Sequence, residues 1–424
     1  MNGDEIYNLA KKLWPINRSL TGEGVRKTLG EIKNILPELT IHEVPSGTKA
    51  FDWTIPKEWQ VNEAWIKDPE GNKICNFQEN NLHLVGYSKP IHKKLSLKDL
   101  EKNLYSVENK IEAIPYITSY YKEDWGFCIS QEERDKLKDG EYEVYIDSNL
   151  FDGVLNYGEL IIKGNSSSEI FLSTYICHPS MANNELSGPC VTTFLSKWIS
   201  SLKERKYSYR IIFIPETIGS ITYLSKNLKE MKDNIIAGYN ISCVGDNRSY
   251  SYLPSRNGNT LSDKVAKHVL SNITDDFVSY TWNDRGSDER QYCAPNIDLP
   301  IASIMRTKYG EYPEYHTSLD NLENVVSSEG LFGGYNALKL AIEIIEKNDF
   351  PKVTVLGEPQ LGKYDLYPSI GGPKATTELK NMMNLISYSD GTNDLIDIAN
   401  ICDIPVWELY PIVKNLESKG LLIT

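Results

Sequence analysis

A chain of 424 residues exceeds one ordinary hydrophobic core, so two or three domains are expected. With 40% hydrophobic and 24% charged residues it has globular make-up, and neither a bilayer-length apolar run nor a signal-peptide pattern is present. A net charge of −13, with His92-Lys93-Lys94 as the longest basic cluster, argues against a nucleic-acid partner, while seven scattered cysteines without a CxxC pair read as reduced residues of a cytoplasmic protein.

Ile6, Leu9, Ala10 and Leu13 share one helical face, Pro15 stops that helix, and Thr21-Gly22-Glu23-Gly24 opens a second carrying Val25, Leu29, Ile32 and Leu36. Over residues 51–155 the texture changes. Trp53, Trp59 and Trp65 cluster among short β-like pieces and turn dipeptides, which predicts a small β-rich domain inserted into a discontinuous core of residues 1–50 and 156–355. The alternative is that this stretch simply continues the main core. From Tyr157 onward, apolar strands (169–177, 209–215, 235–244 and 299–305) alternate with helical patterns. Val191, Phe194, Leu195, Trp198, Ile199 and Leu202 mark one helical face, and residues 323–345 read as a closing helix that Gly330, Gly333 and Gly334 threaten to interrupt. This alternation predicts an α/β fold, a mostly parallel mixed sheet with helices on both faces. Residues 356–374, rich in proline and glycine, read as a linker, and 375–424 as three short helices resembling a winged helix-turn-helix.

Of the six histidines, His42, His83, His92 and His268 lie in patterns that favour structural or solvated roles. His178 directly follows a buried strand, and His316 sits in Tyr315-His316-Thr317 between a strand and the closing helix. Ligands of open parallel sheets gather off the carboxyl ends of strands, and Asn184, Glu216 and Asp246 also fall near such ends. Two imidazoles with carboxylate or amide oxygens suit zinc. Arg256, Arg290 and Arg306 offer bidentate forks for a carboxylate or phosphate, with Arg306 preferred; ordinary ion pairs are the competing reading. Ser187 precedes Gly188 without a GxSxG elbow and reads as a structural turn.

The order His178, a loop ending Ser187-Gly188, Glu216 followed by Gly219-Ser220, Gly286-Ser287-Asp288, then Tyr315-His316-Thr317 with Asp320-Asn321 resembles the co-catalytic zinc aminopeptidases. That superfamily includes the animal glutaminyl cyclases. Across nearly the whole chain the sequence is similar to a bacterial family of aminopeptidase-like proteins with an inserted small domain and a C-terminal winged helix, some of them near polysaccharide-biosynthesis genes. The resemblance implies His178 and His316 as metal histidines, Asn184 in the place of a bridging aspartate, and Glu216 as general base. It puts Ser242 where a further aspartate would stand, with Asp246 close enough to compensate, and Tyr315 near a developing oxyanion. Asp288, Arg290 and Arg306 are candidate substrate contacts. Asn184, Ser242 and the absence of a second glutamate beside Glu216 leave the charge of two zinc ions poorly compensated, so one ion is expected rather than two.

Three functions compete: hydrolysis of a small peptide or related amide, a degenerate ligand-binding module with the winged helix as output, and amide or acyl chemistry in polysaccharide biosynthesis. Residues 376–424 hold seven acidic residues against three lysines, so DNA binding by the winged helix is not expected. Self-association into a homo-oligomer stays open.

Overall fold

Strand Glu169–Tyr175 is buried along its whole length, and its period of two divides its side chains between two cores. Ile170 and Leu172 join the cluster beneath helices Gly3–Leu13, Ser187–Ser201 and Ser328–Lys347, whereas Phe171 points into the cluster on the opposite face. Fully burying an aliphatic or aromatic side chain of this size contributes about 1.5–3 kcal/mol. The strand therefore anchors both layers. The computed structural model describes residues 2–367 and 373–424; Pro368, Gly371 and Gly372 of the expected linker lie outside the described residues.

Eight strands form the main sheet in the order Thr40–Pro45, Val154–Ile162, Ser208–Ile214, Glu169–Tyr175, Ile235–Asn240, Ile301–Met305, Ser251–Leu253, Val278–Ser279. The four strands Ser208–Ile214, Glu169–Tyr175, Ile235–Asn240 and Ile301–Met305 run parallel, flanked by antiparallel pairings. Their carboxyl ends share one edge, where the chain turns into Cys177-His178, Pro215-Glu216, Ile241 to Asp246, and Arg306. The closing helix begins at Ser328, and its glycines do not break it. A Cβ at Gly330 would lie 2.0 Å from the Gly245 carbonyl oxygen, and one at Gly334 2.4 Å from that of Val244. Glycine there admits the helix against the loop that leaves strand Ile235–Asn240.

Within the inserted stretch, Glu58–Lys67 and Glu141–Phe151 pair over most of their length, flanked by Lys73–Ile74 and Ile91–Ser96. Trp59, Val144 and Ile146 of this sheet pack in the same apolar cluster as Phe171, Ile212 and Tyr292, so no solvated boundary separates the insert from the main sheet. At the other end, helices Pro373–Tyr388, Leu395–Cys402 and Leu409–Ser418 precede Leu422–Ile423, which pairs with Lys352–Val353. Ile396, Ile398, Leu409 and Leu416 join the main core.

His268, on helix Leu261–Ile273, is the polar fastening between these C-terminal helices and the sheet domain. Its Nδ1 pairs with Asn400 Oδ1 at 2.6 Å, and its Nε2 accepts the Val406 N–H at 2.9 Å. Beside it, Lys264 bridges Asp394 and Asp397. Burial holds His268 below the ordinary histidine value. The fold thus favours the neutral ring, whose contribution is complete above about pH 6.5 and is lost as pH falls below it. The protection factor of the Val406 amide, its exchange rate corrected for the intrinsic fall with pH, is expected to drop between pH 7 and pH 5, and His268→Gln, which cannot titrate, should show a shallower pH slope. Equal slopes for the two proteins would rule the fastening out as a titrating element.

Candidate metal centre

The strand carrying His178 ends three residues earlier, which leaves the imidazole at the sheet edge and 3% exposed. Glu185, in the buried turn Ala182–Leu186, reaches back to the His178 backbone N–H and lies 3.3 Å from its Nδ1. Nδ1 is committed to Glu185, which leaves Nε2, 3.7 Å from Glu216 Oε2, as the nitrogen that an ion could reach by displacing its proton. Arg18 fixes the far side of Glu185. Its Nε donates to Glu185 Oε1 at 2.6 Å and to the His178 carbonyl at 3.1 Å, and both side chains of this ion pair are fully buried. Burial disfavours the imidazolium of His178, yet Glu185 and the charge of Glu216 outweigh it and raise the group above its usual value.

The His316 ring lies 5.6 Å from that of His178, centroid to centroid. Two imidazoles on one tetrahedral zinc at about 2.0–2.1 Å have centroids about 5 Å apart, a spacing near that of this pair. Tyr315 stacks on His316 at 3.9 Å, and neither His316 ring nitrogen has a hydrogen-bond partner among the described residues. Burial, the neighbouring His178 and Lys110 depress His316 to about 3. A neutral imidazole with an uncommitted lone pair is the form that binds metal. His316 also has φ of 54°, and Ser180, Thr217 and Cys243, all just beyond strand ends, have positive φ too. Non-glycine residues in this region cost of order 1 kcal/mol or more each and concentrate at functional sites.

Asn184 is anchored at the same edge. Its backbone N–H donates to Asp320, its Nδ2 donates to the Tyr175 hydroxyl, and its Oδ1 is buried without a partner. Tyr175 in turn packs 5.3 Å from the His178 ring. Glu216 Oε1 accepts from Ser287 Oγ at 3.0 Å, and burial raises its carboxyl against the pull of His178. Asp288 accepts from the Thr217 N–H and Ser220 Oγ, while its Oδ2 is buried and unpaired. Burial and then the Glu216 charge push Asp288 up to about 8, so Asp288 favours its protonated form near neutrality.

The remaining expected residues divide. Arg290 reaches the Glu216 loop, with Nη2 donating to Thr217 Oγ1 at 2.8 Å. Asp246 has both oxygens occupied by Asn183, Arg248 and Thr307. It therefore orders the loops behind the site instead of offering a lone pair to an ion. Arg306 lies over the Tyr250 ring at 4.0 Å, against the closing helix, and its guanidinium does not join the His178 cluster. Ser187 Oγ donates to the Asn183 carbonyl and accepts the Val244 N–H, as befits a structural turn.

Sequence reasoning gave no role to Glu185, Arg18 or Tyr116. The Tyr116 ring lies 5.0 Å from His178 and 5.2 Å from His316, and its N–H donates to the His316 carbonyl at 2.9 Å. It comes from the insert, 62 residues before His178 in the chain, and no local pattern marks it. Cys177, His178 and Glu185 also offer donor atoms within 4.8 Å of one another. Arg18 already neutralises Glu185, however, and burial drives the Cys177 thiol well up, so these groups hold the ring instead of forming a second cage. The donor types suited to zinc at this edge are His178 Nε2, His316 and Asn184 Oδ1, which leaves Glu216 free to handle a proton and supplies no bridging carboxylate for a second ion.

Residues 7–348 match a family model described as a domain of unknown function, DUF4910, and residues 349–424 match a winged helix-turn-helix. A Clostridium acetobutylicum protein, provisionally named for polysaccharide biosynthesis with an aminopeptidase-like domain, is 46% identical over 399 residues, 94% of this chain and 91% of that protein. A crystal structure of a provisionally named peptidase from Clostridium acetobutylicum aligns at a TM-score of 0.93 and 43% identity, covering 99% of this chain and 96% of that one. BSAP, a zinc aminopeptidase from Bacillus subtilis, aligns at a TM-score of 0.60 and 14% identity over 81% of this chain and 95% of that one, a likeness of fold. No helix among the described residues is long and apolar enough to cross a membrane. With its aminopeptidase-like fold and C-terminal winged helix, the chain belongs to the DUF4910 family.

Proposed function

We propose that the chain is a metal-dependent hydrolase of the aminopeptidase type, acting on a small peptide or related amide with one zinc ion held by His178 and His316. The observation that carries this reading is the Arg18–Glu185–His178 relay, which turns His178 Nε2 toward Glu216 beside a second, neutral imidazole. Carboxylates that orient a histidine in this way typify metal centres. Asn184 Oδ1 would complete the donor set. When bound, the ion supplies Lewis-acid polarisation of the amide carbonyl and a nucleophile at neutral pH.

The protein's own groups then divide the work. Glu216, steadied by Ser287, accepts a proton from the attacking water and returns it to the leaving amine. Asp288 holds the competing proton beside it. Burial keeps the Tyr315 hydroxyl protonated, so it can donate to an oxyanion developing over the stacked His316. The 46% identical relative is named for polysaccharide biosynthesis, and a second reading is therefore amide or acyl chemistry on a sugar intermediate. In the winged helix, seven acidic residues against three lysines over residues 376–424 favour packing over DNA contact. A salt-dependent gel shift with duplex DNA would overturn that part.

Zinc measured in the purified chain is expected near one ion per molecule, falling to trace levels in His178→Ala and in His316→Ala. Full zinc retention by both variants would refute the reading.

A further inference from the structure

Arg290 stands exposed beside Glu216 with no carboxylate partner among the described residues; its bond to the Thr217 hydroxyl is neutral. Its bond to Thr217 sets it beside the neighbouring Glu216, and its charge is felt at Tyr121. Tyr121, 71% exposed, is also the near wall of a groove of about 490 Å³. Lys57, Lys89 and Lys122 line that groove together with Tyr87, Tyr120 and Tyr121, and Glu123 is the only acidic residue on its wall among the described residues. Lys89 lies 3.9 Å from Glu123 and Lys122 3.2 Å from Asp124, exposed pairs of small net worth that an incoming anion can replace; Lys57 has no acidic partner among the described residues.

The groove and the histidine pair are joined by tyrosines. The Tyr120 hydroxyl lies 2.8 Å from that of Tyr116, whose ring packs against both His178 and His316. Three lysines on one groove wall and, beside Glu216, an Arg290 without a carboxylate partner among the described residues form a local positive track in a chain of net charge −13. We infer that this track selects an anionic substrate: Arg290 pairs with a carboxylate or phosphate next to the scissile amide, and the lysine- and tyrosine-lined groove receives a further charged unit. The inference rests on the hydrolase reading for its scissile bond, while the binding track stands on its own residues. A guanidinium offers two parallel donors to such a group, and the ring faces accept the apolar edge of a peptide or sugar. Acidic peptides and acylated amino sugars bearing uronic acids share this chemistry.

The test is calorimetric binding to the zinc-loaded full chain carrying Glu216→Gln, so that turnover cannot consume the probe. The probes are an acidic tripeptide Glu-Ala-Glu, its neutral isostere Gln-Ala-Gln, and a tetrasaccharide of alternating glucuronate and N-acetylglucosamine. At least one acidic probe is expected to bind about tenfold or more tightly than the neutral isostere, with an advantage that shrinks as salt is raised. Whichever acidic probe wins identifies the source. Arg290→Met, and separately Lys57→Gln with Lys89→Gln and Lys122→Gln, should each erase most of that advantage; these exposed or half-buried positions are not needed for folding. Equal binding of acidic and neutral probes, binding of none, or an acidic preference untouched by either variant overturns the inference. An acidic preference persisting in zinc-free His178→Ala, with no turnover by the wild type, would sustain the track and sink the hydrolase.

Discussion

Glu216→Gln is expected to lower amide turnover by about 10²–10⁴-fold, the range that a positioned acid–base group contributes, with zinc content unchanged. The substitution keeps the shape and can still accept from Ser287, so the fold around the Pro215 turn should persist. What is lost is the capacity to take and return a proton 3.7 Å from His178 Nε2. Removing the Glu216 charge also relieves Asp288, which should then titrate below about 8 because one of the three causes of its elevation, after burial and beside Glu289, is gone. Carbon-13 spectra of labelled aspartate would follow that shift. A variant that turned over substrate at the wild-type rate would leave Glu216 with no part in proton transfer.

Glu185→Gln carries the second large effect, and it acts without touching substrate. The amide no longer balances Arg18, and breaking a fully buried pair in this way costs about 3–5 kcal/mol. His178 Nδ1 loses its charged acceptor as well, and loss of such an orienting partner typically weakens metal binding by about 10–100-fold. The two consequences separate in the double variant Arg18→Met with Glu185→Met. Apolar replacement of a whole buried pair is often neutral or better for stability, so the fold should recover while zinc affinity stays low. Denaturation and zinc titration on the same samples distinguish these outcomes. Recovery of zinc affinity along with stability would mean that Glu185 serves packing alone.

The parallel strands were legible because Glu169–Tyr175 and Ser208–Ile214, buried on both faces, are continuous apolar runs in the sequence. His178 stood out because it follows such a strand, and His316 because it lies between a strand and the closing helix, whereas the other four histidines fell in structural or solvated patterns. Glu185 was hidden within a motif whose neighbour Asn184 drew attention, and only the bent turn Ala182–Leu186 reveals that it points back at His178. Asp246 looked equally available because sequence does not reveal how many donors a carboxylate has already met; here they come from three residues, two of them far along the chain. Arg306 was favoured on nearness in sequence to His316, yet its side chain leaves the other way, to Tyr250. The interruption expected at Gly330 failed because helix propensity is a local penalty, and tight packing against Gly245 overrides it.

The main-chain bonds that tie Tyr116 to His316, and Ile114 to Ser318, have a consequence for how this protein opens. Swinging the insert outward as a rigid flap would drag a proposed ligand histidine away and dismantle the centre with every cycle. Ligands must therefore enter while this stretch stays in place. Swapping in a foreign insert that lacks this short splice should cost metal occupancy before it alters selectivity.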